Sequence, residues 1–493
     1  AGRFALCMQR PNILFILIDD LGWTDLSCYG SKFYETTVLD RLAGEGMRFT
    51  DAYATCPVCS HSRASIMTGK YPANVGITDW IDAGGHLHPC RGRLVDVPYL
   101  KNLPSREHTL AHALRDGGYA TWHVGKWHLG GPDHRPEDHG FEVNIGGCEA
   151  GAPGTYFSPW PISVLHGDDL PPGTYITDYL TDRTVNLIRK HDRKRPFYLN
   201  LCHYAVHQKI EAKPDDIRKY EAKVKATGLD KVKAFEEGDF FPCEHKKTQR
   251  IIRRLVHSDP VYAAMIENLD LNIGRVLRAI EEAGQADNTI VVFTSDNGGL
   301  STAESSPTCN APLSEGKGWM YEGGTRVCQM VKWPGVTPPG STCTAPTTGT
   351  DFYPTFLEAA GLDPIPAQHV DGVSIVPLLR GAAEFDRGPI FWHYPHYGNQ
   401  GGTPAAAVRI GDHKLIEFFE DSHLELYNLR RDVGERHNLV ENDKERAKRM
   451  HDVLKDWQRR VEAKIPQPNP SFKPWQEGRP RNVESRETKE FTG

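Results

Sequence analysis

NILFILIDD, residues 12–20, sets the frame for the rest of the chain. Its apolar run is continuous rather than alternating, which is how a strand reads when both faces of a parallel sheet are covered. It stops abruptly at Asp19 and Asp20. Three later segments follow the same grammar: Tyr119 to Val124 leads into Gly125-Lys126-Trp127-His128, Pro196 to Cys202 into His203 and His207, and Thr289 to Thr294 into Asp296-Asn297-Gly298-Gly299. Open α/β sheets bind their ligands outside the carboxyl ends of strands, so ends carrying carboxylates, Lys and His point to one shared site.

The intervening pattern supplies the layers. From Tyr262 to Ala283, residues Ile266, Leu269, Ile273, Val276, Leu277 and Ile280 fall on one helical face, predicting a helix that covers the sheet. Asp133 to Pro172 and Glu211 to Arg250 lack periodicity and read as excursions from the sheet. A boundary is expected near Gly381 to Arg387, dividing residues 10–380 from a smaller unit at 388–465. In that unit Pro389 to His396, Ala405 to Ile410 and Lys414 to Phe419 read as short strands, and Asp443 to Val461 as an exposed charged helix. The polar, Pro-rich residues 466–493 read as an extended tail.

At 493 residues the chain is long enough to bury a large core, and a net charge of -6 gives no bulk reason to expect nucleic acid or an anionic membrane as partner. No apolar stretch approaches the roughly 20 residues of a membrane span. Ala1 to Gln9 lacks the layout of a complete signal peptide. The 11 cysteines are scattered, at neither disulfide-scaffold nor zinc-finger spacing. Cys56 and Cys59 form a C-x-x-C, which leaves a redox pair as one reading.

Asp19, Asp20, Asp296 and Asn297 are hard oxygen donors suited to Ca²⁺, with Mg²⁺ the second choice. The competing reading is helix capping and turn formation, which Asp and Asn-Gly also serve. Around the nucleophile candidate the chain runs Cys59-Ser-His-Ser-Arg-Ala-Ser-Ile-Met-Thr-Gly-Lys70. This segment resembles the signature of the formylglycine-dependent sulfatases of the alkaline phosphatase superfamily, C-x-P-S-R followed by T-G-R. It retains Cys59, Ser62, Arg63, Thr68 and Gly69, has Lys70 in the last place, and carries His61 where proline is usual. The resemblance extends through RPNILFILIDDLGW, GYATWHVGKWHLG, Val206-His207, VVFTSDNGG and EGKGWMYEGGTRVCQMVKWPG, in family order.

The resemblance implies an alkaline-phosphatase-like α/β fold, a mixed sheet flanked by helices with a smaller C-terminal α+β subdomain. It implies that a formylglycine-generating enzyme oxidises Cys59, and that the product joins Asp19, Asp20, Asp296 and Asn297 around one Ca²⁺. Arg63, Lys126 and Lys317 would offset sulfuryl charge, His207 would protonate the leaving oxygen, and His128 would contact the nucleophile. Without the resemblance, these lysines would read as surface groups and the histidines as core residues. The segment FWHYPHYGNQGG, 391–402, looks like that of bacterial carbohydrate sulfatases. It implies a sulfated, galactose-type sugar as substrate and an exported, periplasmic or secreted, enzyme. His393 and His396 are candidate substrate contacts there, against a packing role, and the aromatic stretches 156–160 and 391–397 are candidate sugar platforms or, equally, core. The alternatives are a phosphate or phosphonate ester hydrolase of the same superfamily, and, should Cys59 stay a thiol, a silent binder of sulfated glycan.

Overall fold

The computed structural model describes residues 10–82, 85, 87–165 and 170–474, so the expectations for Ala1 to Gln9 and for 475–493 fall outside the described residues. The main sheet is built from β1 (Asn12–Ile18), β2 (Met47–Tyr53), β3 (Ala120–Gly125), β4 (Val143–Ile145), β5 (Phe197–Cys202), β6 (Thr289–Ser295), β7 (Arg326–Lys332), β8 (Ser341–Cys343) and β9 (Thr347–Thr348). Their spatial order is β8-β2-β7-β6-β1-β5-β3-β4, with β9 also beside β2. β1 lies centrally and pairs in parallel with both β5 and β6. The sheet is mixed because β7 runs antiparallel to β2 and β6.

The unbroken apolar run of β1 has its cause in this position. Leu14, Ile16 and Ile18 enter one hydrophobic core and Ile13, Phe15 and Leu17 the other, so no residue between Ile13 and Ile18 faces water. The sheet-covering helix spans Pro260–Glu282, capped by Asp259, whose side chain accepts from the Val261 and Tyr262 amides. Of the predicted face, Ile266, Leu269, Ile273, Val276 and Ile280 are buried, and Leu277 is partly buried.

The second sheet is antiparallel, β10 (Ile390–Tyr394), β11 (Ala405–Ile410), β12 (His413–Phe418) and β13 (Leu424–Asn428) in spatial order. The helix Lys444–Arg460 packs on it through Met450, Leu454 and Trp457. Among the described residues of the tail, Gln467–Pro468 pairs antiparallel with Leu94–Val95. The excursion expected over Glu211 to Arg250 is more regular than that. It holds a helix, Pro214–Thr227, opened by Pro214 and ended by Gly228 at φ 73°, and a two-stranded ribbon, Phe235–Phe240 with Arg250–Arg254. The helix buries only Tyr220 and the ribbon is partly exposed on both faces, so neither leaves a hydrophobic period in the sequence. Among the described residues, no helix is long and apolar enough to cross a membrane.

Candidate active site

The carboxyl ends of β1, β3, β5 and β6 converge, and with them the polar residues that follow. Asp19 Oδ2 accepts from Lys126 Nζ at 2.7 Å, and Asp20 Oδ2 from Lys317 Nζ at 2.7 Å. Asn297 Nδ2 donates to Asp20 Oδ1 at 2.9 Å. Arg63 grips Asp296 Oδ2 through Nε and Nη2, at 3.0 and 2.8 Å. Asp20 and His128 hold left-handed backbone, φ 59° and 57°, where the chain turns sharply off its strands. That conformation is costly for residues with a Cβ, and such strain gathers at functional sites.

The Cys59–Thr68 helix delivers the candidate nucleophile. All of its residues are buried, and Cys59 is its first. Arg63 comes one turn later and so shares a face with Cys59, which accounts for the spacing of the pair. Thr68 Oγ1 caps back onto the Ala64 carbonyl at 2.8 Å. Gly69 ends the helix at φ 67°, and a Cβ there would stand 2.4 Å from the His369 side chain. The Thr-Gly of the motif is therefore a helix terminus. His61, in the usual proline position, is buried and stacks on Tyr394 with centroids 5.8 Å apart. Burial pushes its pKa well below the ordinary value, so it stands there as a neutral ring.

Cys59 Sγ lies 3.4 Å from His128 Nδ1, and His128 Nε2 lies 2.9 Å from the Ile81 carbonyl. A carbonyl only accepts, so the ring proton sits on Nε2 and the Nδ1 lone pair faces position 59. A Cβ on Gly151 would come within 2.6 Å of this ring, so Gly151 makes room for it. His207 Nε2 is 3.8 Å from Asp20 Oδ2, and its Nδ1 bonds the Gln208 carbonyl at 2.7 Å. Neither Ile81 nor Gly151 was expected from sequence; a backbone carbonyl and an absent side chain leave no chemical signal there.

Burial dominates the electrostatics. It pushes the Asp19 carboxyl well up against the pull of Lys126. It acts the same way on Asp20, but there Lys317, His207 and Lys126 prevail and hold the group below the usual carboxylate range. Burial, aided by Lys317, lowers His207 to about 3, and burial with Lys126 takes His128 well below its ordinary value. Cys59 is pushed up by burial despite Lys126 and Lys317, and burial raises Cys56 as well. Two thiols held protonated in this way are poor material for a redox pair.

Two oxygens decide whether a cation fits. Asp19 Oδ1 and Asn297 Oδ1 are buried and have no hydrogen-bond partner, although leaving such atoms unpaired is costly. They belong to a set of hard oxygen donors, which suits a hard cation such as Ca²⁺. Asp19, Asp20 and His207 also bring ligand atoms within 4.8 Å of one another.

A family model described as Sulfatase matches residues 11–362, well over half the chain. The chain belongs to the sulfatase family. It is accordingly a sulfuric ester hydrolase on an alkaline-phosphatase-like mixed sheet. A second model, the C-terminal region of N-sulphoglucosamine sulphohydrolase, matches residues 316–463. A sulfatase of Formosa agariphila is 32% identical over 91% of this chain and 89% of its own. Human N-acetylgalactosamine-6-sulfatase is 30% identical over 82% of this chain and 71% of its own. Among solved structures, that of Ps i-CgsB superposes with a TM-score of 0.72 at 28% identity, covering 91% of this chain and 93% of that one. The same protein has been solved in complex with k-i-k-neocarrahexaose, at TM-score 0.71 and 28% identity over 91% and 93% of the two chains.

The remaining candidates from the sulfatase tail take other roles. His393 is buried, with Nε2 on the Lys464 carbonyl at 2.8 Å and Nδ1 on Gln458 at 3.3 Å. His396 is buried, with Nε2 on Thr78 Oγ1 at 2.8 Å and Nδ1 on Asp96. Both rings have their nitrogens occupied, so the expected substrate contacts are corrected to internal ones. Of the two readings of the aromatic stretches the core one holds for Tyr156, Trp160, Tyr394 and Tyr397, which are buried, while Phe157 is partly buried.

Proposed function

We propose that this sulfatase hydrolyses a sulfate monoester on a carbohydrate of galactose type, releasing alcohol and inorganic sulfate, with Cys59 converted to formylglycine and one Ca²⁺ bound. The observation that carries the proposal is a pair of buried oxygens without a hydrogen bond, Asp19 Oδ1, with Arg63 Nη2 at 3.7 Å, and Asn297 Oδ1, set beside Cys59, Lys126, Lys317 and Arg63. Asp19, Asp20, Asp296, Asn297 and position 59 would hold the ion. When present, formylglycine hydrate and Ca²⁺ supply an oxygen nucleophile of lowered pKa and a concentrated positive charge.

The chain's own residues do the rest. Lys126, Lys317 and Arg63 are fixed by their carboxylates before substrate arrives, so their charge meets the sulfuryl oxygens without reorganisation. The His207 proton sits on Nδ1, bonded to the Gln208 carbonyl, and the ring is neutral at rest. An incoming sulfate ester brings the negative charge that favours protonation at Nε2, from which the leaving oxygen takes its proton. His128, with its lone pair toward position 59, accepts a proton there. The sugar preference is supported by a relative named for N-acetylgalactosamine 6-sulfate and by a neighbour solved with neocarrahexaose.

The test is sulfate release from sulfated galactose and N-acetylgalactosamine, compared with a phosphate and a phosphonate ester, by protein coexpressed with an activating enzyme. Turnover confined to sulfate esters and lost on chelation supports the proposal. Faster hydrolysis of the phosphorus esters would contradict it.

A further inference from the structure

Behind His128 lies a set of buried polar side chains that the chemistry above leaves unused. The Ile81 carbonyl that accepts from His128 belongs to a segment held on several sides. Its own amide donates to Ser60 Oγ at 3.0 Å, next to the nucleophile position. The Trp80 amide donates to Asp79 Oδ1 at 2.8 Å, and the Trp80 carbonyl accepts from the Tyr99 hydroxyl at 2.7 Å. From the end of β10, the Tyr394 hydroxyl donates to Asp79 Oδ1 at 3.0 Å, and His396 Nε2 meets Thr78 Oγ1 at 2.8 Å. His396 Nδ1 contacts Asp96 Oδ1, while Asp96 Oδ2 takes His88 Nδ1 at 2.7 Å and the Cys90 amide at 3.0 Å. Asp79, Asp96, Tyr394 and His396 thus tie the second sheet to the three residues that precede Ile81.

We propose that His396 and Tyr394 are positioning residues for the reaction: by bracing Thr78 and Asp79 they fix the Ile81 carbonyl, which sets the tautomer and aim of His128. The proposal rests on the reading above, in which the Nδ1 lone pair faces position 59. With the carbonyl in place, the proton is held on Nε2. If the carbonyl withdraws, Nε2–H loses its acceptor inside a buried site, and the proton can move to Nδ1, where it blocks the lone pair. Lys126 from the end of β3 and Arg63 from the Cys59–Thr68 helix also face the ring, and as cations neither can accept in place of the carbonyl. His207 faces it as well, and its Nδ1 is committed to Gln208.

Ligation of a second metal is the rival role for this cluster, since His88, Cys90 and Asp96 bring ligand atoms together, and Asp79 Oδ2 and His88 Nε2 make no hydrogen bond and face each other only as an ion pair at 3.6 Å. The brace is favoured because both Asp96 oxygens are already engaged, and because the Lys101 ammonium, 3.4 Å above the Tyr99 ring, acts on Asp79 and Asp96 and offsets part of their charge.

The experiment compares wild type with Tyr394→Phe, His396→Ala and His396→Gln, whose amide can still reach Thr78. Two readouts are taken: kinetics of the converted enzyme on an aryl sulfate, and imidazole ¹⁵N shifts of His128 in the unconverted thiol form, assigned with His128→Asn. In His396→Ala, kcat is expected to fall about ten-fold or more with KM within about two-fold. The His128 shifts move from the Nε2–H pattern toward a mixture, and His396→Gln recovers both. Tyr394→Phe removes one hydroxyl and shifts both readouts less, in the same direction. If His396→Ala does not fold, Tyr394→Phe decides. Unchanged kcat and unchanged tautomer in a folded variant overturn the brace. So does a second stoichiometric metal ion that is lost in Asp96→Asn while His128 is unaffected. A wild type that is converted but inactive overturns the proposed chemistry instead, and the tautomer readout still judges the brace.

Discussion

At the strand ends, Asp19, Asp20, Asp296 and Asn297 face Lys126, Lys317 and Arg63; between the two sheets, Glu322 and Glu435 face Lys414, Arg326 and Arg409. Both networks are buried and both mix carboxylates with cations. They differ in how completely their oxygens are used. Glu322 Oε1 accepts from Tyr53 at 2.5 Å and Arg326 at 2.9 Å, and its Oε2 from Lys414 at 2.9 Å. Glu435 Oε1 accepts from Lys414 at 2.9 Å and its Oε2 from the Glu322 amide at 2.7 Å. At the strand ends, Asp19 Oδ1 and Asn297 Oδ1 have no such partner. A closed network fixes how two sheets dock, whereas an open one has capacity left for a ligand.

The largest expected effect separates the two networks by chemistry. Asp296→Asn should lower kcat by about a thousand-fold and abolish tight calcium binding, measured by turnover and metal content. Lys414→Met leaves two carboxylates buried without their ammonium, and should cost about 3–5 kcal/mol in urea unfolding. Its kcat per folded molecule should stay near wild type. A Lys414→Met enzyme that is stable but inactive would break the comparison.

Calcium sharpens it next. Adding Ca²⁺ at about a hundred times its Kd should stabilise the wild type by about 2.7 kcal/mol, seen as a raised Tm. The same rise is expected in Lys414→Met and none in Asp296→Asn. The pH dependence of stability comes after that. Burial pushes Glu435 from 4.5 up to about 7, against Lys414. The folded protein therefore holds this proton more tightly than the unfolded chain does. That stability is fully present below pH 4.5 and is lost as pH rises through about 7. Burial opposes the lowering of Glu322, but Lys414 and Arg326 take it to about 2, so its contribution is present above pH 4.5 and lost only as pH falls through about 2. Asp270, raised by burial to about 6, adds to the decline above pH 4.5, so Glu435→Gln should flatten the urea-midpoint profile only in part. The smallest effect lies outside both networks. Asp443 accepts from the Arg446 amide at 3.1 Å as an N-cap, and Asp443→Ala should lower the urea midpoint slightly with activity unchanged.

The residues of the open network were largely legible in the sequence, because a parallel sheet exposes its ligand positions as abrupt polar ends of apolar runs. Asp19 after Ile18, Lys126 after Gly125 and Asp296 after Ser295 all carry that signal. The closed network was not. Glu322 lies in a four-residue helical turn and Lys414 in a strand, and apart from Arg326, one turn after Glu322, the partners that satisfy them are distant along the chain. The strand Leu424–Asn428 went unseen for a related reason. Its buried Glu425, held by the Tyr321 and Tyr427 hydroxyls at 2.8 and 2.7 Å, interrupts the apolar pattern of a short segment. His393 and His396 misled in the opposite direction: imidazoles among aromatic residues resemble a sugar site, and only their hydrogen bonds show that the rings face inward.

The most direct test of the central claim is the mass of the peptide carrying Cys59, taken from the same preparation used to follow calcium-dependent sulfate release. Formylglycine at position 59, in a fraction that rises and falls with turnover across preparations, is the result expected here. Full turnover from protein whose Cys59 remains an unmodified thiol would contradict it.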